Sequence, residues 1–209
     1  MHTEPYAVVV GGAAVDVKAR STAAARLHTS NPGSVTRTLG GVGRNIAEGL
    51  ARLGSRVDLV ASVGADSDGD DLLARTARAG VGTGHVVRSQ HPTGTYLALL
   101  DNDGELVAAV SDFAATDTLG LAEIAGARDL VAAADVVVVD GNLPSAIVVW
   151  LLTVAATGGA RIVLEPVSVT KAGRLSPLLK PDHPVFTVTP NGPSSPASAP
   201  LVRRMSRGG

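Results

Sequence analysis

The stretch TLGGVGRNIAEGLARLG, residues 38–54, holds five glycines in seventeen positions and still reads as the start of a helix. Gly40 and Gly41 stand side by side where that helix must begin, and polar Asn45 follows about one turn later. Glycine weakens a helix relative to alanine, so this position asks for backbone without side chains. Two uses fit. One is a tight strand-to-helix turn, and the other is close approach of a ligand to main-chain N–H groups at a helix N-terminus. Asp16 lies just past the C-terminal end of the first apolar run, where α/β folds bind ligands. It equally suits an aspartate that caps a turn.

Other chemistry is excluded by spacing. The glycine pair in VVVGGAAVD lacks the G-x-G-x-x-G pattern of a dinucleotide site and the helix that should follow at once. DSDGDD, residues 66–71, starts like a calcium loop, but Asp71 and Ala77 stand where that loop needs glycine and glutamate. His2, His28, His85, His91 and His183 share no metal-binding spacing, and there is no cysteine. Neither a G-x-x-x-x-G-K-[ST] loop nor a G-x-S-x-G elbow occurs.

The elements that must position these residues alternate along the chain. YAVVVGG (6–12), RVDLVASVG (56–64), ADVVVVDGN (134–142), ARIVLEPVS (160–168) and PVFTVTPN (184–191) read as strands. Several are apolar without alternation, as expected of strands covered on both faces. GRNIAEGLARLG, DGDDLLARTARAG and LPSAIVVWLLTVAATGG read as helices, each closed by glycine. This order implies an α/β fold with right-handed crossovers. Residues 17–39 and 93–112 break the rhythm; each offers two short strands, together enough for a small accessory sheet, with DNDGE as a hairpin turn. The 209 residues suffice for one sizeable domain. A net charge of −1 argues against nucleic acid as a partner. No apolar run reaches membrane-spanning length and the N-terminus lacks a leader pattern, so a cytoplasmic protein is expected.

Taken in order, GGAAVD, NPG, GGVGRNIAEGLARLG, VASVGADSDG and TGTYLALLDNDGE resemble the ribokinase-like (PfkB) carbohydrate kinases, from about residue 7 to residue 191. GGVGRNIA, TYLALLDNDGE, VVDGN and EPVSVTKA resemble most the members that phosphorylate pseudouridine. The resemblance implies a Rossmann-like parallel sheet flanked by helices with a small β lid. It also implies ATP-dependent phosphorylation of a sugar or nucleoside hydroxyl, with ATP and Mg²⁺ as cofactors. Asp16 and Asn45 would hold sugar hydroxyls, and Gly40 and Gly41 would let them touch main chain. Thr95 and Tyr96 fall on the lid hairpin, and Asn142 follows the central strand facing the sugar. Lys171 matches a lysine near phosphate, or is a solvated lysine at a helix start. Asn191 opens the family's N-x-x-E motif, tied to Mg²⁺ and phosphate, but Ser194 stands in the glutamate's place. The later motif D-T-x-G-A-G-D, which supplies the base and the anion hole, does not occur in the chain. The expectation is therefore a C-terminally truncated kinase domain over 1–191, a nucleoside-binding half-site with little or no kinase activity, and a disordered Pro/Ser/Arg-rich tail over 192–209. A non-catalytic module that pairs through its lid, with a second copy or a full-length homologue, is the alternative.

Overall fold

The computed structural model of the chain describes residues 5–179, 185–187 and 203–204. Its main sheet is built from β1 (Tyr6–Val10), β4 (Arg56–Val60), β9 (Val136–Asp140), β10 (Arg161–Glu165), β11 (Val185–Thr187) and β12 (Arg203–Arg204), in the order β12-β11-β10-β9-β1-β4. All neighbours are parallel except β11 and β12. The unbroken valine runs follow from burial on both faces. Val8, Val10, Val137, Val139, Ile162 and Leu164 pack with Ile147 and Leu151 of α6 (Ser145–Gly158). Ala7, Val9, Val57, Leu59 and Val138 pack on the opposite side with Ala47 of α1 (Val42–Arg52). The chain leaves β1 toward β4 and leaves β9 toward β10, so the connections diverge between β1 and β9. Such a divergence opens a crevice at the C-terminal strand ends. Gly11–Gly12 and Gly141–Asn142 sit at those two ends.

A second sheet of order β3-β2-β7-β8 stands outside the first. It comprises β2 (Ala14–Ser21), β3 (Gly33–Gly40), β7 (Gly94–Leu100) and β8 (Leu106–Asp112). Asp101 builds the β7–β8 turn by accepting from the Asp103 and Glu105 N–H groups, both at 2.9 Å, and Gly104 takes φ 90°. The four strands lie in the two segments that broke the strand–helix rhythm, extended at Ala14 and Gly40 to reach the main-sheet crevice.

Two local expectations need correction. Residues 56–64 are not one strand: after Ala61, β5 (Ser62–Gly64) leaves the main sheet and pairs with β6 (Val87–Ser89). A continuous apolar run carries no mark of where its partner changes. The strand expected to reach Ser168 ends at Glu165, because Pro166 has no N–H to donate and Ser168 instead caps α7 (Val169–Leu175), its Oγ accepting from Lys171 N–H at 3.3 Å. Residues 113–132 form α3 (Ala114–Asp117), α4 (Leu121–Ile124) and α5 (Arg128–Ala132), each too short to show a helical period. In the tail, Arg203–Arg204 pair antiparallel with β11, and the remaining tail residues lie outside the described set.

Candidate substrate-binding site

The site is a corner where β3 runs into α1. Gly41 is the N-cap of α1 at φ 90°, a left-handed conformation that favours glycine. A Cβ on Gly41 would come within 2.5 Å of both Gly12 O and Ala13 Cα. A Cβ on Gly40 would lie 2.5 Å from Asp16 Cγ and from both carboxylate oxygens. The Asp16 side chain is thus folded directly over the bare backbone of Gly40. In the strand register Asp16 lies between Thr38 and Tyr96, so these three side chains leave one face of the second sheet. Thr95 belongs to the row of Val15 and Asp112 and leaves the other face, its hydroxyl donating to Thr93 O at 3.3 Å. Adjacent strand residues cannot share a face, so of the expected lid pair it is Tyr96 that stands in the row of Asp16. Asn45 is exposed on the first turns of α1, its N–H on Gly41 O at 2.9 Å.

The corner is held by a residue the sequence reading passed over. Asp140, at the end of β9, has no solvent exposure. Its Oδ2 accepts from Gly12 N–H at 2.9 Å and Gly43 N–H at 3.2 Å. Its Oδ1 accepts from Asn142 N–H at 2.8 Å and Asn142 Nδ2 at 2.9 Å. One carboxylate thereby ties the turn after β1, the start of α1 and the turn after β9. The signal was present in VVVVDGN, an acid ending a strand with no other polar residue. Burial raises the Asp140 pKa, against the N–H groups of Asn142, Gly12 and Gly43 and the nearby Lys171 charge. Lys171 donates to Asn142 Oδ1, so Asn142 is held between Lys171 and Asp140. Arg174 braces the same turn by donating to Gly141 O at 2.6 Å and Leu143 O at 3.0 Å.

The structure therefore joins Asp16, Gly40 and Gly41 in one corner with Asn45 a turn away, and gathers Asn142 and Lys171 at Asp140. Asn191 and Ser194 lie outside the described residues. Chemically the corner offers a carboxylate acceptor and an amide, which suit hydroxyl groups. Burial raises the Asp16 pKa above the ordinary aspartate value of 3.8, with Lys18 opposing. Since only the carboxylate accepts at both oxygens, affinity for a polyol is expected to fall on acidification through a pKa above 3.8. Titration calorimetry across pH checks this, and an Asp16→Asn variant should lose the pH dependence. Among the described residues no group of three or more His, Asp or Glu side chains could hold a metal ion.

Strand β7 of the second sheet is anchored by Asp66, N-cap of α2 (Ser67–Arg78). Its carboxylate accepts from Gly69 N–H at 2.8 Å, Thr93 N–H at 2.8 Å and the Thr93 hydroxyl at 2.6 Å. Burial alone would raise the Asp66 pKa, but the hydrogen bonds from Thr93 and Gly69 and the Arg88 charge outweigh it and lower it. A lowered native pKa gives stability that is complete above the unfolded-state pKa of about 3.9 and is lost as pH falls through the native one. Asp66→Ala is expected to cost about 1–3 kcal/mol in urea unfolding at neutral pH, with a smaller difference from wild type in acid.

The parallel sheet, its connections diverging between β1 and β9, defines an open α/β fold of the kind that binds small molecules at its strand ends. The chain matches the model of the pfkB family carbohydrate kinases over residues 4–189 and belongs to that family. It is 34% identical to a pseudouridine kinase of Escherichia coli (strain K12) over 192 residues, covering 91% of this chain and 60% of that protein. It is 35% identical over 188 residues to an uncharacterized sugar kinase, YeiI, of the same strain, covering 90% of this chain and 51% of the relative. Among solved structures, a carbohydrate kinase from Agrobacterium tumefaciens matches with a TM-score of 0.76 and 29% identity, over 84% of this chain and 58% of that one. The chain thus spans between half and two thirds of the length of these relatives. Among the described residues no helix is long and apolar enough to cross a membrane.

Proposed function

We propose that the corner of Asp16, Gly40, Gly41 and Asn45 binds the ribose of a nucleoside, and that pseudouridine is its substrate class. The reading belongs to a kinase lineage in which ATP, with Mg²⁺, phosphorylates the nucleoside 5′-hydroxyl in the cytoplasm. The observation that carries it is the Asp16 carboxylate lying against Gly40, where a side chain would displace it. Asp16 would accept hydroxyl hydrogens, Asn45 would bond a further hydroxyl, and the glycines would let the Asp16 carboxylate and the turn at Gly12 lie close against the start of α1. Tyr96 would cover it from the lid, while Asn142 and Lys171 would border it at the Asp140 side. Thr95 and Asn191 are assigned supporting parts, on the lid and toward phosphate. Phosphoryl transfer depends on positioning and electrostatic stabilisation, and general-base help adds about 10²- to 10⁴-fold. This chain carries no D-T-x-G-A-G-D motif, so it is expected to bind nucleoside and to transfer phosphate little or not at all. Incubation of the purified chain with pseudouridine and labelled ATP tests this. Absence of labelled nucleoside together with measurable nucleoside binding supports the reading, and efficient phosphorylation contradicts it.

A second reading, pairing through the lid, is favoured by one observation. On the face opposite Asp16, Val35, Leu97 and Val110 are 66%, 45% and 68% exposed. A shared apolar sheet face of this kind is a surface that association would cover. The chain is expected to sediment as a dimer at micromolar concentration and Val110→Asp as a monomer. A wild-type monomer at high concentration would contradict this.

A further inference from the structure

Arg44 sits inside the corner but has no part in the sugar reading. It is 8% exposed, and all three guanidinium nitrogens are used. Nε donates to the hydroxyl of Thr76 on α2 at 3.3 Å, Nη2 pairs with Glu48, and Nη1 donates to Asn45 Oδ1 at 3.1 Å. Thr76 is fully buried, and Glu48 is itself shared with Arg52. The guanidinium is therefore wedged between α1 and α2 and cannot turn away.

Arginine carries donors only, so the end of the Asn45 amide turned toward it must be the oxygen. The amine end, Nδ2, is then the one left for a partner on the open side, and Asn45 is exposed. We infer that Arg44 is a positioning residue that fixes the polarity of Asn45, so that its outward atom is the donor Nδ2, whereas the Asp16 carboxylate is an acceptor. A ligand that meets both gives a hydroxyl hydrogen to Asp16 and offers an oxygen lone pair to Asn45. A free amide could rotate and accept either polarity; the buried guanidinium removes that choice. The ligand in this inference rests on the ribose-binding reading, whereas the polarity of Asn45 does not.

The test is a cycle of Asn45→Asp with the charge-neutral double variant Arg44→Gln/Glu48→Gln. The double variant keeps α1 from carrying an unpaired buried charge. In the ligand-free protein, Asn45→Asp is expected to raise the melting temperature, because its carboxylate faces the Arg44 guanidinium. The rise should disappear in the Arg44→Gln/Glu48→Gln background, which separates it from any general benefit of an acid near a helix N-terminus. With pseudouridine as the probe, Asn45→Asp should bind at least about tenfold more weakly, since the outward atom changes from donor to acceptor. The double variant should lose about threefold to tenfold through the freed rotamer. An Asn45→Asp protein that melts no higher than wild type, or higher by the same amount in both backgrounds, overturns the inference. Wild-type affinity in Asn45→Asp overturns it as well. If the wild-type chain binds no pseudouridine, the ribose reading fails, and the ligand-free melting cycle still decides the polarity of Asn45.

Discussion

Replacing Asp140 by alanine is expected to lower the stability of this protein by about 3–5 kcal/mol, a large share of the roughly 5–15 kcal/mol that a domain has in total. The carboxylate is wholly buried and accepts from three backbone N–H groups and one side-chain amide. Removing it strands the donors of Gly12, Gly43 and Asn142 away from water, and each buried unsatisfied donor costs about 1–3 kcal/mol. The loss also falls where three turns meet, so the damage is not confined to one element. Asp140→Asn keeps the volume and one oxygen but turns an amine toward N–H donors, and its cost should lie between wild type and alanine. Urea unfolding followed by circular dichroism reads both. An unchanged midpoint for Asp140→Ala would mean that the turns after β1 and β9 do not depend on this carboxylate.

The second large effect separates two adjacent glycines. Gly41→Ala is expected to destabilise the fold by several kcal/mol. A left-handed conformation costs an L-residue roughly 1–2 kcal/mol, and the new methyl would collide with the backbone of Gly12 and Ala13. Gly40→Ala meets only a side chain, the Asp16 carboxylate, which can swing aside. Its melting temperature should fall less than that of Gly41→Ala, while nucleoside affinity drops at least about tenfold as Asp16 leaves its place. Parallel melting and calorimetric titration of the two variants check this. Equal loss of stability in both, or full affinity in Gly40→Ala, would show that the bare backbone serves the turn alone.

These contrasts show which features the chain announces and which it hides. The parallel sheet was legible because Val8, Val9 and Val10 are consecutive and all buried, a pattern only a doubly covered strand sustains. The corner was legible because Gly40 and Gly41 sit where a helix begins and Asn45 follows within its first turns. Asp140 was overlooked because its function is to bind backbone from turns far away in sequence, and no local spacing records that. Arg44 was hidden for the same reason: its partner Thr76 lies on another helix. Thr95 and Tyr96 looked equivalent in sequence, and only the pleat distinguishes them. The switch of partner after Ala61 and the short helices of 114–132 depend on tertiary packing rather than on periodicity.

A sugar bound at the glycine corner must touch the backbone and side chains that form it. The most direct measurement is a ¹⁵N-resolved NMR titration of the 209-residue chain with pseudouridine. The prediction is saturable shifts of the Gly40, Gly41 and Gly43 amides and of the Asn45 side-chain NH₂, abolished in Asp16→Asn while the rest of the spectrum stays native. Contradiction would be saturable binding that leaves those resonances still, or no binding at millimolar nucleoside by a chain that is folded.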